Sequence, residues 1–322
     1  VRRILSVQRP LISIITPSLH AAGTIGETLD SVLPQLSGDV EHLLIDACST
    51  DGTLEIAGKY PHLSVRSKRD KGIYDGMNKG AALAAGEWLL FLQADDWLPA
   101  GTLDAYRKAF KESPMAEVIC GSAEAVKKSD GHWSPVWSVT DASRKQLSAE
   151  NIVLGEPMIN ARLIKKNAFE KLGGFSLEYS LASDRDFLLR AAETRVVQCQ
   201  VDSLTYRYRW HAGSSTMTEG NALTSRLSQE NLAIAKTHLP RASSTNRRAL
   251  LRWHDRLTVQ AAMNALENFR WKDLVQASRE GMSENAGWVA CFSEEILRSL
   301  PGFLSRGGRT KSRILKLKER SP

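Results

Sequence analysis

The chain of 322 residues predicts an α/β fold: a mostly parallel central sheet flanked by helices, with an α-helical C-terminal extension. Three observations carry this reading. Short apolar, β-rich runs alternate with stretches of helical spacing through the first half, as strands joined by crossover helices do. The runs at 11–15 and 89–92 are continuously apolar rather than alternating, which marks strands buried on both faces. From about residue 224 the pattern turns to helices alone.

Taken in order, LISIIT (11–16) is the first strand, and GTIGETLDSVLPQL (23–36) is helical, with Ile25, Leu29, Val32, Leu33 and Leu36 on one face. VEHLLIDA (40–47) is the second strand and DGTLEIAGKY (51–60) a short helix, for which Ser49 or Asp51 supplies a cap. LSVRS (63–67) is the third strand, GIYDGMNKGAALAAG (72–86) a small-residue helix and EWLLFLQA (87–94) the fourth strand. TLDAYRKAF (102–110) is helical and AEVICGSAEAV (116–126) a fifth strand. DGHWSPVWS (130–138) reads as a turn with aromatic strand edges. INARLIKKNAFEKLGGF (159–175) reads as a strand, then a helix ended by Gly173 and Gly174. SDRDFLLRAAETR (183–195) is a helix with Ser183 as its N-cap, and VVQCQVDSLTYRYRW (196–210) is extended. The expected division is a domain over 10–222 and a helical, basic region over 223–322.

Hydrophobic residues make up 42% and charged residues 25%, as in a soluble globular protein, and no apolar run approaches the ~18–20 residues of a membrane span. The opening VRRILSVQRP does not read as a secretory signal. Cys48, Cys120, Cys199 and Cys291 form no C-x-x-C pair, so neither a zinc knuckle nor a disulfide framework is expected, and a reducing cytoplasm is the expected compartment. The net charge of +7 is uneven: residues 225–322 hold 18 Lys and Arg against 9 Asp and Glu. That excess is either a solvated surface or a contact for an anionic partner such as a membrane. No nucleic-acid recognition motif accompanies it, so nucleic acid is not expected as a partner.

Polar residues gather where strands end: Thr16, Pro17 and Ser18 after the first, Asp46 within the second, and Asp95 and Asp96 after the fourth. Open α/β sheets bind ligands at those ends. Adjacent carboxylates there repel each other and need a cation. Mg²⁺ or Mn²⁺ bridging a diphosphate supplies one, with Asp96 on the metal and Asp95 on a ribose hydroxyl. The turn after the first strand, SLHAAG, lacks G-x-G-x-x-G, and no P-loop lysine motif is present. A dehydrogenase and a P-loop kinase are therefore disfavoured.

The segments SIITPSLHAAGTIGETLDSVL, LLIDACSTDGT, DKGIYDGMNKGAALAAGEWLLFLQADD and FEKLGGF…ASDRDFLLR, in that order, resemble family 2 glycosyltransferases of the GT-A type over roughly residues 10–215. The nearest pattern is the bacterial branch that builds cell-surface polysaccharides. The resemblance implies that Pro17, Ser18 and Asp46 lie at the nucleotide base. Ala47 stands where many members carry a second acid. It places Asp70, Gly72, Asp75 and Asn78 beside ribose and diphosphate, Asp95 at a ribose or metal-water contact, and Asp96 on the metal. His211, in YRWHAGSST, resembles a late histidine that completes the metal site in some members; it also reads as structural. Asp184 aligns with the catalytic base, although Ser183 replaces the usual glutamate before it. Asp186 is the second candidate, and its simpler reading is an acid at a helix N-terminus. Trp97 and Trp210 adjoin site residues, where core packing competes with stacking on sugar.

The function implied is inverting transfer of a sugar from a nucleoside-diphosphate sugar, UDP by family habit, to a hydroxyl of a lipid-linked or polysaccharide acceptor. A cytoplasmic enzyme, peripheral on the inner membrane face, would suit such an acceptor. The basic amphipathic tail 305–320 would then lie on the membrane. A metal-dependent nucleotidyltransferase would share the sheet and the carboxylates but normally shows a glycine-rich G-x-G-T…K segment, absent here. A catalytically degenerate binding module is the other rival.

Overall fold

All seven side chains of β1 (Ile12–Ser18) are buried, because β1 is flanked by parallel strands and covered on both faces. The computed structural model describes residues 10–155, 159–211 and 221–296. The other strands are β2 (Val40–Asp46), β3 (Leu63–Ser67), β4 (Trp88–Phe91), β5 (Val118–Ser129), β6 (His132–Val139), β7 (Arg162–Lys165) and β8 (Gln198–Trp210). The helices are α1 (Ile25–Val32), α2 (Thr53–Ala57), α3 (Ile73–Leu83), α4 (Thr102–Glu112), α5 (Ala142–Lys145), α6 (Ala149–Leu154), α7 (Lys166–Lys171), α8 (Ser183–Glu193), α9 (Asn221–His238), α10 (Ser244–Glu267) and α11 (Trp271–Glu284).

The strands form one eight-stranded sheet in the order β3-β2-β1-β4-β7-β5-β6, with β8 paired to β5. The block β3-β2-β1-β4 is parallel, and so is β5 with β8. β7 enters antiparallel between β4 and β5, and β6 folds back on β5 through Asp130 and Gly131, both at positive φ. The sheet is thus antiparallel only where β7 and β6 join it.

Each face has its own core. Ile12, Ile14, Leu90 and Leu92 pack with Val32 of α1 and Leu103 and Tyr106 of α4. On the other face α3 lies so close to β1 that a Cβ at Gly80 would come within 2.3 Å of the Ile15 side chain. An aromatic cluster of Phe91, Phe169, Phe175 and Phe187, with ring centroids 5.1–5.5 Å apart, ties β4 to α7 and α8.

The chain divides into two compact units, one ending at Glu230 and the other beginning at Asn231. In the second, Val259 and Ala262 of α10 pack with Trp288, Leu274 and Phe292. The Trp288 indole fills the space a Cβ at Gly281 would take and donates to Thr258 Oγ1 at 2.8 Å. Among the described residues no helix is long and apolar enough to cross a membrane. The tail 305–320 lies outside the described residues.

Candidate active site

In the order β3-β2-β1-β4 the sequence of strand addition switches sides of β1 at the β1/β4 border, where an open sheet leaves a crevice beyond its carboxyl ends. Leu92 N donates to Ile15 O at 2.9 Å just past the end of β4, while β1 continues along β2 to Ser18. Pro17 lies past the last β1–β4 pair, Ile15 with Phe91, where β1 is paired along β2 alone, and a proline is tolerated at such an edge. On the far side of the crevice Thr24 and Thr28 hydroxyls donate to Ala94 O at 2.9 and 3.0 Å, fixing the chain that leaves β4 to the start of α1.

Asp46, at the end of β2, is fully buried. Its Oδ1 accepts from the hydroxyls of Ser18 (3.1 Å) and Ser49 (2.5 Å). Its Oδ2 accepts from Ser49 N (3.0 Å) and the Ser67 hydroxyl (2.7 Å). Burial works against the charge, but the bonds from Ser49, Ser67 and Ser18 hold the carboxyl below its ordinary value. Asp46 thus gathers three serines from the ends of three neighbouring strands. Ser67 went unread in the sequence, and Ser49 was read there only as a cap. The signal available was a small hydroxyl residue at each strand end. Gly52, not Ser49 or Asp51, takes the cap position of α2, and Asp51 Oδ1 accepts Thr53 N at 3.1 Å from the residue before it.

The segment 70–78 spends its polar groups on structure. Asp70 Oδ1 accepts Gly72 N at 2.9 Å, at the entry to α3, where Gly72 has φ +120°. Asp75 accepts Lys71 N at 2.9 Å and pairs with Lys79 at 2.8 Å, and the Lys79 ammonium holds its carboxyl below the ordinary value. Asn78 donates to Phe175 O at 2.8 Å and accepts from Phe175 N at 3.0 Å, a two-bond clamp on the turn after α7. Tyr74, which the sequence did not single out, lies within hydrogen-bond reach of Leu181 O (3.2 Å) and Asp184 Oδ1 (3.0 Å).

The two adjacent aspartates part company. Asp96 is wholly buried; its Oδ1 accepts Arg209 N at 2.8 Å and its Oδ2 accepts the Tyr206 hydroxyl. Burial, and then the neighbouring Asp95, push its carboxyl well above the ordinary value. Asp95 is about one-third exposed, and its Oδ2 lies 3.0 Å from His211 Nε2. The pair forms because Asp95 leaves β4 where β8 ends. Arg209 Nε donates to Asp95 O at 2.6 Å, its Nη2 reaches Glu27, and its guanidinium stacks on Trp97 and Trp133. Trp97 therefore supports Arg209, and Trp210 lies at the end of β8 opposite Lys127 of β5.

Carboxylate oxygen and imidazole nitrogen suit Mn²⁺ or Mg²⁺, and two accessible protein donors leave room for phosphate oxygens. Asp95 and His211 meet that description. Asp96 has no exposed surface, and both its oxygens are bonded within the protein. Among the described residues no cluster of three or more His, Cys, Asp or Glu stands in metal-holding geometry.

Asp184 is half-buried in the first turn of α8, accepting Arg185 N at 2.8 Å besides the Tyr74 hydroxyl. Burial raises its carboxyl above the ordinary value against the pull of Arg185 and Tyr74. Ser183 is not the cap of this helix: its hydroxyl donates to Ser176 O at 2.7 Å, and Ala182 takes the cap position. The amides ahead of the helix are satisfied from a distance by Glu230. Its carboxylate accepts Ser180 N (3.0 Å), the Ser180 hydroxyl (2.7 Å), Leu181 N (2.8 Å) and Ala182 N (3.0 Å). Asp186 makes a two-bond pair with Arg190 at 2.8 and 3.0 Å, and Arg190 Nη2 donates to Gly174 O at 2.7 Å. Asp186 is thereby committed to the α7–α8 junction.

Residues 13–173 match the family described as Glycosyl transferase family 2. The chain is 34% identical over 187 residues to a PGL/p-HBAD biosynthesis glycosyltransferase of Mycobacterium bovis, covering 56% of this chain and 69% of that protein. In fold it is similar to S. aureus TarS 1–349 in complex with UDP-GlcNAc, at TM-score 0.60 and 18% identity, covering 87% of this chain and 80% of that one. It is also similar to the mannosyltransferase PcManGT from Pyrobaculum calidifontis in complex with GDP-Man and Mn²⁺, at TM-score 0.56 and 18% identity, covering 91% and 81%. With an α/β sheet of this order and a family match across half its length, the chain belongs to glycosyl transferase family 2.

Proposed function

We propose that the protein is an inverting, metal-assisted glycosyltransferase that uses a UDP-sugar and a hydroxyl acceptor on a lipid-linked or polysaccharide glycan of the cell envelope. One observation carries this reading. An accessible Asp95–His211 pair stands at the carboxyl end of β4, beside the β1/β4 crevice, in a chain of this family. The UDP-GlcNAc complex of TarS supports the donor class, and the PGL/p-HBAD biosynthesis glycosyltransferase supports a biosynthetic role. The match to a glycosyltransferase family weighs against the nucleotidyltransferase reading.

In this reading Ser18, Ser49 and Ser67, aligned by Asp46, offer hydroxyls to the nucleotide. Asp95 and His211 hold the cation. Mn²⁺ or Mg²⁺, when bound there, supplies positive charge to the diphosphate oxygens. Asp184 is the base: it takes the proton from the acceptor hydroxyl as that oxygen bonds to the anomeric carbon. The bond from the anomeric carbon to the phosphate oxygen breaks, and its electron pair leaves with the nucleoside diphosphate. One displacement inverts the configuration. A carboxyl whose proton affinity is raised by burial is a better proton acceptor than an exposed one.

The test is calorimetric titration of the protein with UDP, GDP and dTDP, each with and without Mn²⁺. Metal-dependent binding of UDP is expected. No binding of any nucleotide with metal present would overturn the reading and favour a binding module that has lost catalysis. For the membrane, acidic liposomes should bind the full chain at low salt and release it as salt rises; no binding at low salt would refute that part.

A further inference from the structure

A pocket of about 510 Å³ lies outside the groups assigned above. Its wall is built from Glu27 of α1, Trp97 just after Asp96, Glu124 and Trp133 of the β5–β6 hairpin, and Arg207 of β8. Asp95, Asp96, Asp184 and His211 do not line it. The wall is fixed by several independent contacts. Trp97 and Arg207 exchange backbone bonds of 3.2 and 3.0 Å, and Arg207 Nε donates to Glu124 at 2.6 Å. The two indoles meet at 5.0 Å between centroids, inclined at 59°. Arg209 backs both, with its guanidinium 5.0 and 4.9 Å from their centroids, while its Nε holds the carbonyl of Asp95.

These residue types match the two aspects of a sugar ring. A pyranose offers a face of C–H bonds, which lies on an indole, and a rim of hydroxyls, which pair with carboxylates and guanidinium groups. Glu27 is 58% exposed in its side chain and Glu124 19%, so the first reaches solvent and the second sits deeper in the wall. Glu124 is paired with Arg207 and Glu27 with Arg209, so the wall carries no net charge, which suits a neutral sugar.

We propose that this pocket is a carbohydrate-binding site that takes a neutral sugar unit of the acceptor glycan, away from the hydroxyl that reacts. That the sugar belongs to an acceptor rests on the glycosyltransferase reading above; that the pocket binds sugar rests on its own wall. The bound unit stacks on the two indoles, and Arg209 behind them holds the carbonyl of Asp95. A longer acceptor is thereby held at two places instead of one.

The experiment is saturation-transfer NMR on the full chain with maltose, cellobiose, mannobiose and chitobiose, each with and without saturating UDP. Transfer from at least one neutral disaccharide is expected, undiminished by UDP. Trp133→Ala should weaken it roughly threefold to tenfold, and Glu124→Gln, which keeps the side chain's size, should weaken it too. UDP titration of the same variants should match the unaltered chain. The proposal is overturned if no neutral disaccharide shows transfer, if UDP displaces it, or if both substitutions leave it intact. Sugar binding in a chain that binds no nucleotide would keep the pocket and sink the donor reading instead.

Discussion

The Tyr74 hydroxyl lies 3.0 Å from Oδ1 of Asp184, joining α3 to α8 across 110 positions of sequence. In the proposed mechanism Asp184 serves as base only when ionised, so the rate should climb with pH through its titration and then level off. Burial has already raised that titration, and the Tyr74 bond partly offsets it. Tyr74→Phe removes the bond, so the rising limb should move to higher pH, by up to about one unit, the equivalent of a hydrogen bond of ~1 kcal/mol. The donor KM should stay put. A pH profile of kcat checks this; a downward move, or none, would contradict the assignment. Asp184→Asn should cost roughly 10²–10⁴-fold in kcat with the fold retained.

Asp95 and Asp96 should respond in opposite ways to the same change. Asp95→Asn and His211→Ala remove exposed donors, so nucleotide binding with Mn²⁺ should weaken while binding in EDTA and thermal stability hardly move. In Asp96→Asn the amide offers one oxygen to two donors, Tyr206 Oη and Arg209 N. One is left unpaired in the interior, at a cost of about 1–3 kcal/mol. A lower Tm with unchanged metal response is expected for Asp96→Asn. A selective loss of metal dependence there would return the ligand role to Asp96.

How far the sequence could be read follows from what is local. β1, β2 and β4 were legible because strands covered on both faces are written as apolar runs. The helix expected over 72–86 from its small residues forms at Ile73–Leu83, but the direction its polar side chains take was not legible: Asn78 clamps Phe175, and Tyr74, silent in the pattern, reaches the α8 aspartate. The insertion of β7 antiparallel between β4 and β5 was not legible, since four residues of strand carry no record of their partners. Asp95 and His211 were both expected at the site, yet their 116-residue separation hides that they pair while Asp96 turns inward. Burial separates the two adjacent aspartates, and burial is a property of the fold.

Glu230 shows the same thing for the loop before α8. Nothing near 180–182 in the sequence announces that a carboxylate some fifty residues later closes it. Burial opposes charge on Glu230, but bonds from Ser180, Leu181 and Ala182 hold its carboxyl below the ordinary value. Folded-state depression of this kind gives stability that is present at neutral pH and lost as pH falls through the lowered value. Glu230→Ala should leave the three amides without their partner, speed hydrogen exchange at 180–182 and lower kcat through Asp184. Glu230→Gln, retaining one acceptor oxygen, should fall between. Exchange at 180–182 that is unchanged in Glu230→Ala would show that the clamp does not hold the loop.

Asn78 should prove a positioning residue, whose loss is felt through the turn it clamps. Its two bonds to Phe175 hold the ring of that residue 5.2 Å from Phe91, Phe169 and Phe187 and 5.4 Å from Tyr74. Asn78→Ala frees both backbone groups of Phe175 and loosens the wall behind Tyr74, at about 1–3 kcal/mol. Asn78→Asp keeps the acceptor for Phe175 N but sets a carboxylate against Phe175 O, so it should destabilise as well. Both variants should lower Tm and share with Tyr74→Phe the shift of the pH limb, because the Tyr74–Asp184 bond depends on where Phe175 holds the tyrosine ring. If Asn78→Ala instead raised the Kd for UDP at unchanged Tm, the residue would be meeting the nucleotide directly, and the clamp would be incidental to its role.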